Sequence, residues 1–140
     1  DGAGDAGRDG RQATPGYCRS VGGVGATGAT GAQSYFSNYG STVDVSAPGG
    51  DDRTGDMILS TLNNGETTPA APTYGYMEGT SQAAPHVSAV VALMIAATPN
   101  LTSARIKEIL KQSVNPAKCK TGCGTGIVDA RKAVKAAKSA

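Results

Sequence analysis

Tryptophan is absent, phenylalanine and histidine each occur once, and aromatics make up only 4% of the 140 residues. Any core must therefore come mainly from Ala, Val, Ile and Leu, which pack closely but remove little area per side chain from water. No block of like charge stands out. Thirteen basic residues against eleven acidic ones leave a net charge of +2, so nucleic acid and anionic membrane surfaces have no electrostatic footing as partners. Long apolar runs are missing too: the longest, Val87 to Ala97, contains Ser88 and is too short to span a bilayer. A soluble chain is expected. The 20 glycines lack the period of collagen and are too many for a helical bundle. The first residue is Asp1 and not Met, so either something upstream was removed or the sequence is incomplete, and the lack of a leader pattern carries little weight.

What is present reads as strands followed by helices. Residues 1–16, rich in Gly, Asp and Arg, are expected as an exposed glycine-rich loop open to disorder. Val21 to Ala26, Thr42 to Ala47 and Met57 to Leu62 read as short strands bounded by turn residues, with a surface loop at Thr67 to Pro72. From about Ser81 to Ala97 the apolar positions Val87, Val90, Val91, Met94 and Ile95 keep helical spacing, and Ala92 and Leu93 fill the opposite side. A helix apolar nearly all round is expected to be buried. Thr102 is the expected N-cap of a second helix running to Ser113, and a third runs from about Asp129 to Lys138. This order predicts an α/β layer fold with sites at strand-to-helix junctions.

Ser81 stands at such a junction, after Gly79-Thr80 and before the apolar helix. On local pattern alone it reads as a helix cap. As a nucleophile it would need a base and donors for an oxyanion, and a helix N-terminus supplies part of the second. The longer segment decides between the two. Thr73-Tyr-Gly-Tyr-Met-Glu-Gly-Thr-Ser81-Gln-Ala-Ala-Pro-His-Val-Ser-Ala-Val-Val-Ala-Leu-Met94 resembles the nucleophile helix of the subtilases, the subtilisin-like serine proteases. Ser20-Val-Gly-Gly-Val-Gly-Ala-Thr27, Phe36-Ser-Asn-Tyr-Gly40, Val43-Asp-Val-Ser-Ala-Pro-Gly49, Ile58-Leu-Ser-Thr-Leu62 and Gly124-Thr-Gly-Ile-Val-Asp-Ala130 resemble later family segments in the right order, closest to secreted bacterial and proteinase K-like members.

The resemblance spans residues 13–138. It implies an α/β, three-layer subtilisin-like sandwich with a mainly parallel sheet, of which residues 1–140 form the C-terminal part. It implies a serine endopeptidase acting on polypeptides through an acyl-enzyme on Ser81, with Gly79 and Thr80 at the substrate. Since the family's triad runs Asp, His, Ser, the Asp and His are expected on an upstream half, and the oxyanion asparagine just before Asp1. The chain alone is then expected to be inactive. His86, in the nucleophile helix, is expected to be a buried structural residue and not the base. Gln82 and Glu78 depart from the family pattern, where Met and a small or amide residue are usual.

A Cys119–Cys123 disulfide is implied, with Cys18 pairing upstream, and both point to an extracellular or periplasmic setting. The chemistry requires no cofactor. A structural calcium is left open at Asp44, with carbonyls near Arg19 and Val21 as co-ligands, against an aspartate satisfied by backbone N–H groups. The competing reading is an inactive detached half serving as a structural or peptide-binding module. A Cys₃His zinc site lacks the right spacing. Gly23-Val-Gly25-Ala-Thr-Gly28 matches a dinucleotide fingerprint without the helix that must follow it, and the sequon at Asn100 reads as incidental.

Overall fold

The computed structural model describes residues 1–12, 14 and 22–140. Two strands, β1 (Val24–Thr27) and β2 (Val45–Pro48), run parallel and in register from Val24 beside Val45 to Thr27 beside Pro48. Small side chains make this pairing tight. A Cβ on Gly25 would come within 2.8 Å of Ser46 Oγ. An antiparallel hairpin follows, β3 (Ile58–Asn63) and β4 (Pro72–Met77), forming its own two-stranded sheet.

Helix α1 (Thr80–Ala97) then crosses the parallel strands, and α2 (Ser103–Gln112) begins at Thr102, whose hydroxyl accepts from the Arg105 N–H. Two-residue strands β5 (Val114–Asn115) and β6 (Ile127–Val128) complete the main sheet in the order β1-β2-β6-β5, parallel except for the last pair. Helix α3 (Ala130–Ala137) closes the chain, with Asp129 as N-cap on the Lys132 N–H. The core lies between sheet and helices: Val24, Ala26, Val45 and Ala47 face Ala83, Val87, Val90 and Met94, with Ile109, Leu110, Ala133 and Ala137 behind them.

Three expectations need correction. The hairpin has a second strand that the sequence reading left as loop and motif. Helix α1 is buried on one side only, through Ala83, Val87, Val90 and Met94, while Leu93 and Ile95 remain 53% and 42% exposed. Its outer apolar face has no covering layer among the described residues. His86 lies on that exposed side and is not buried.

The glycine-rich start is irregular, and residues 1–12 are pinned in place. Gly2 bridges to Val24, Ala3 is buried, and Asn38 Oδ1 accepts from the N–H groups of Ala6 and Arg8 at 3.2 and 3.0 Å. The opposite end of the Asn38 amide donates to Ala3 O at 2.9 Å. Cys18, Arg19 and Val21 lie outside the described residues, as do the calcium co-ligands and the disulfide partner placed on them.

Candidate active site

The site is built where β4 ends and α1 begins. Gly79 turns the chain with φ +152°, and its N–H donates to Gly49 O at 2.9 Å, which ties the helix entry to the end of β2. Its carbonyl accepts from the Gln82 and Ala83 N–H groups and starts the helix. A side chain here would collide: a Cβ on Gly79 would sit 2.6 Å from Gln82 Oε1 and 3.1 Å from Asp5 Oδ2.

Thr80 is only 2% exposed, and its Oγ1 accepts from the Gly4 N–H at 3.0 Å. Its own N–H donates to Asp5 Oδ1 at 2.8 Å. Ser81 follows immediately, exposed in the first helical turn, where a backbone N–H has no carbonyl four residues back to accept it. Buried Gly79 and Thr80 therefore hold the exposed serine from behind.

Ser81 opens into a cleft of about 360 Å³ whose walls include Ile58, Leu59, Gln82, Pro85 and His86. His86 shares the cleft but turns its Nδ1–H onto the Gln82 carbonyl at 2.8 Å, one turn back along its own helix. Among the described residues no hydrogen bond joins it to Ser81. Glu78, just before Gly79, is already engaged: Oε1 accepts from Tyr35 Oη at 2.8 Å and Oε2 from the Asp52 N–H at 2.6 Å.

Two acidic locations differ in how their carboxylates are engaged. Asp44 accepts from Lys107 Nζ at 2.8 Å and Lys111 Nζ at 3.2 Å, with the Gly23 N–H also on Oδ2, so ammonium groups occupy both carboxylate oxygens. Burial pushes the Asp44 carboxyl up, but the two lysines and the Gly23 N–H outweigh it and hold its pKa below the ordinary 3.8. Asp51, Asp52 and Glu78 bring ligand atoms within 4.8 Å of one another. There Asp51 accepts from the Arg53 and Tyr35 N–H groups, and Glu78 is engaged as described. The three carboxylates together form a candidate cation cluster. Cys119 and Cys123 are joined by a disulfide, with Cα atoms 6.2 Å apart, which removes two of the ligands a Cys₃His zinc site would require.

Sequence reasoning missed Asp5 and Asn38. Each acts across more than 30 residues of chain, and local pattern gives no signal of such a contact.

A parallel sheet covered by helices, with an exposed serine entering the helix that crosses it, defines a subtilisin-like fold. The solved protease from Pseudoalteromonas arctica PAMC 21717 superposes with a TM-score of 0.90 at 45% identity, over 97% of this chain and 41% of that one. A cold-adapted subtilisin-like serine proteinase gives 0.69 at 29% identity, over 89% and 41%. The subtilase family pattern matches residues 3–126, and the chain belongs to that family.

Among curated relatives, the extracellular protease of Xanthomonas campestris pv. campestris is 44% identical over 126 residues. That match covers 88% of this chain and 21% of the relative. The extracellular basic protease of Dichelobacter nodosus is 40% identical over 140 residues, covering 96% and 22%. The chain thus spans about a fifth of the length of these two relatives.

Proposed function

We propose that the chain is the C-terminal half of the catalytic domain of a secreted serine endopeptidase, with Ser81 as nucleophile. The observation that carries this reading is the exposed Ser81 at the N-terminus of α1, in an open cleft and fixed from behind by Gly79 and Thr80. Ser81 Oγ attacks the carbonyl carbon of a polypeptide, and its proton passes to a histidine oriented by an aspartate, both from the upstream half. The carbonyl electron pair moves onto oxygen near the Ser81 N–H and the positive end of α1. Collapse breaks the C–N bond, and the histidine returns the proton to the leaving amine. Water then attacks the acyl ester by the same route, releasing the acid and restoring Ser81.

Two features support the missing half. Leu93 and Ile95 on α1 are exposed, and so are Leu59, Tyr74 and Tyr76 on the hairpin, with Tyr74 at 72%. Surface of this kind is characteristic of a core cut open. Secretion is supported by the Cys119–Cys123 bond and by relatives named as extracellular.

In the intact protease, Ser81→Ala is expected to cut kcat on a peptide substrate by roughly a million-fold. The 140-residue chain alone is expected to show no turnover. Undiminished peptidase activity in the Ser81→Ala protein rejects the reading.

A further inference from the structure

Asp5 lies against the N-terminus of α1. Its Oδ1 accepts from the Thr80 N–H at 2.8 Å, one residue before the proposed nucleophile. Its Oδ2 and the Ser81 N stand 3.1 and 3.6 Å from where a Cβ on Gly79 would sit, with Gln82 Oε1 nearer still at 2.6 Å, so the carboxylate lies beside the helix entry. The position is well supported, since Gly4 is tied to Thr80 Oγ1 at 3.0 Å, and Asn38 holds the backbone at Ala3 and Ala6. A mobile surface carboxylate would not be anchored in this way.

The chemistry of the group conflicts with its location. When a serine adds to a peptide carbonyl, one C–O bond forms and an electron pair moves onto the carbonyl oxygen, which then needs hydrogen-bond donors. An ionised carboxylate has acceptors only. Placed beside a developing negative charge, it raises the energy of the intermediate relative to bound substrate. The same carboxylate is favourable for the resting protein, because it satisfies a free N–H of the first turn and lies at the positive end of the helix.

We propose that Asp5 is a catalytic residue of the Ser81 centre that restrains acylation. It fills from within this chain the oxyanion position that sequence reasoning assigned to an asparagine upstream. The inference rests on Ser81 being the nucleophile. An asparagine is nearly isosteric with Asp5: its carbonyl oxygen keeps the bond from the Thr80 N–H, and its NH₂ puts a donor where Oδ2 now stands. Asp5→Asn therefore changes charge and donor capacity at one atom while leaving the anchor in place.

The test compares the intact protease with its Asp5→Asn, Asp5→Ala and Ser81→Ala variants on one peptide substrate at neutral pH, with melting temperatures measured alongside. Removing an oxyanion donor costs serine proteases roughly 100- to 1,000-fold in kcat. Asp5→Asn is accordingly expected to raise kcat by about 10-fold or more with little change in KM. Asp5→Ala, which adds no donor, is expected to gain less. The melting temperature of Asp5→Asn is expected to fall slightly, because the helix loses a charge that favours its dipole. A merely structural Asp5 would move stability without raising kcat. If Asp5→Asn is no faster than the parent while Ser81→Ala is inactive, the inference is overturned and the Ser81 assignment stands. If Ser81→Ala retains full activity, both are overturned.

Discussion

Gly79 has no freedom to be anything else. Its φ of +152° is open to glycine and strained for other residues, and the space a Cβ would fill belongs to Gln82 and Asp5. Gly79→Ala is expected to destabilise the domain by about 1–3 kcal/mol and to lower kcat through displacement of Ser81. Thermal unfolding and peptidase assays on the intact protease check both. A fall in kcat with unchanged stability would place the effect in substrate approach instead. Thr80, expected at the substrate, is turned inward and works as a clamp on the N-terminal segment. Its neighbour Ser81 is legible from Gly-Thr-Ser before an apolar helix, but the clamp is not, because Gly4 and Asp5 lie 75 or more residues away and in a stretch without periodicity.

Among the elements, helices were read most fully. Thr102 and Asp129 announce α2 and α3 by their capping chemistry, and both side chains accept the expected N–H groups. Strand β4 was missed because Pro72 and Gly75 interrupt the pattern that Tyr74 and Tyr76 would otherwise make, so only pairing with β3 defines it. Strands β5 and β6 have two residues each, too few for any period.

The joint between α2 and the sheet depends on Asp44, which binds Lys107 and Lys111 on one side and the Gly23 N–H on the other. Asp44→Asn is expected to lower stability at neutral pH by on the order of 1–2 kcal/mol, between a surface pair and a charged hydrogen bond. Because the folded pKa lies below the unfolded value, this contribution is complete above about pH 4 and is lost as pH falls through the depressed pKa. Denaturant titrations should therefore show a gap between parent and variant at pH 7 that closes on acidification below about pH 4. A gap that widened in acid would contradict the assigned ion pairs.

The whole molecule is best understood through the face it leaves open. The expectation that α1 is buried all round fails in the described residues because its apolar outer side, with Leu93 and Ile95, meets no layer there. The helical spacing from Val87 to Ile95 matches the observed span of α1, Thr80–Ala97. Under the proposed function, the residues covering that side belong to the upstream half, which spacing along this chain cannot announce. The subtilase assignment and the exposed Ser81 fit that proposal, as does the 41% of each of two solved proteases that the chain covers.

The most direct test of the central claim is a fluorophosphonate probe applied to the intact protease and to the 140-residue chain alone, with the modified residue mapped by mass spectrometry. The account predicts a single adduct on Ser81 in the intact protein, lost in Ser81→Ala, and none in the chain alone. An adduct on another serine, or full labelling of Ser81 in the isolated chain, would contradict it.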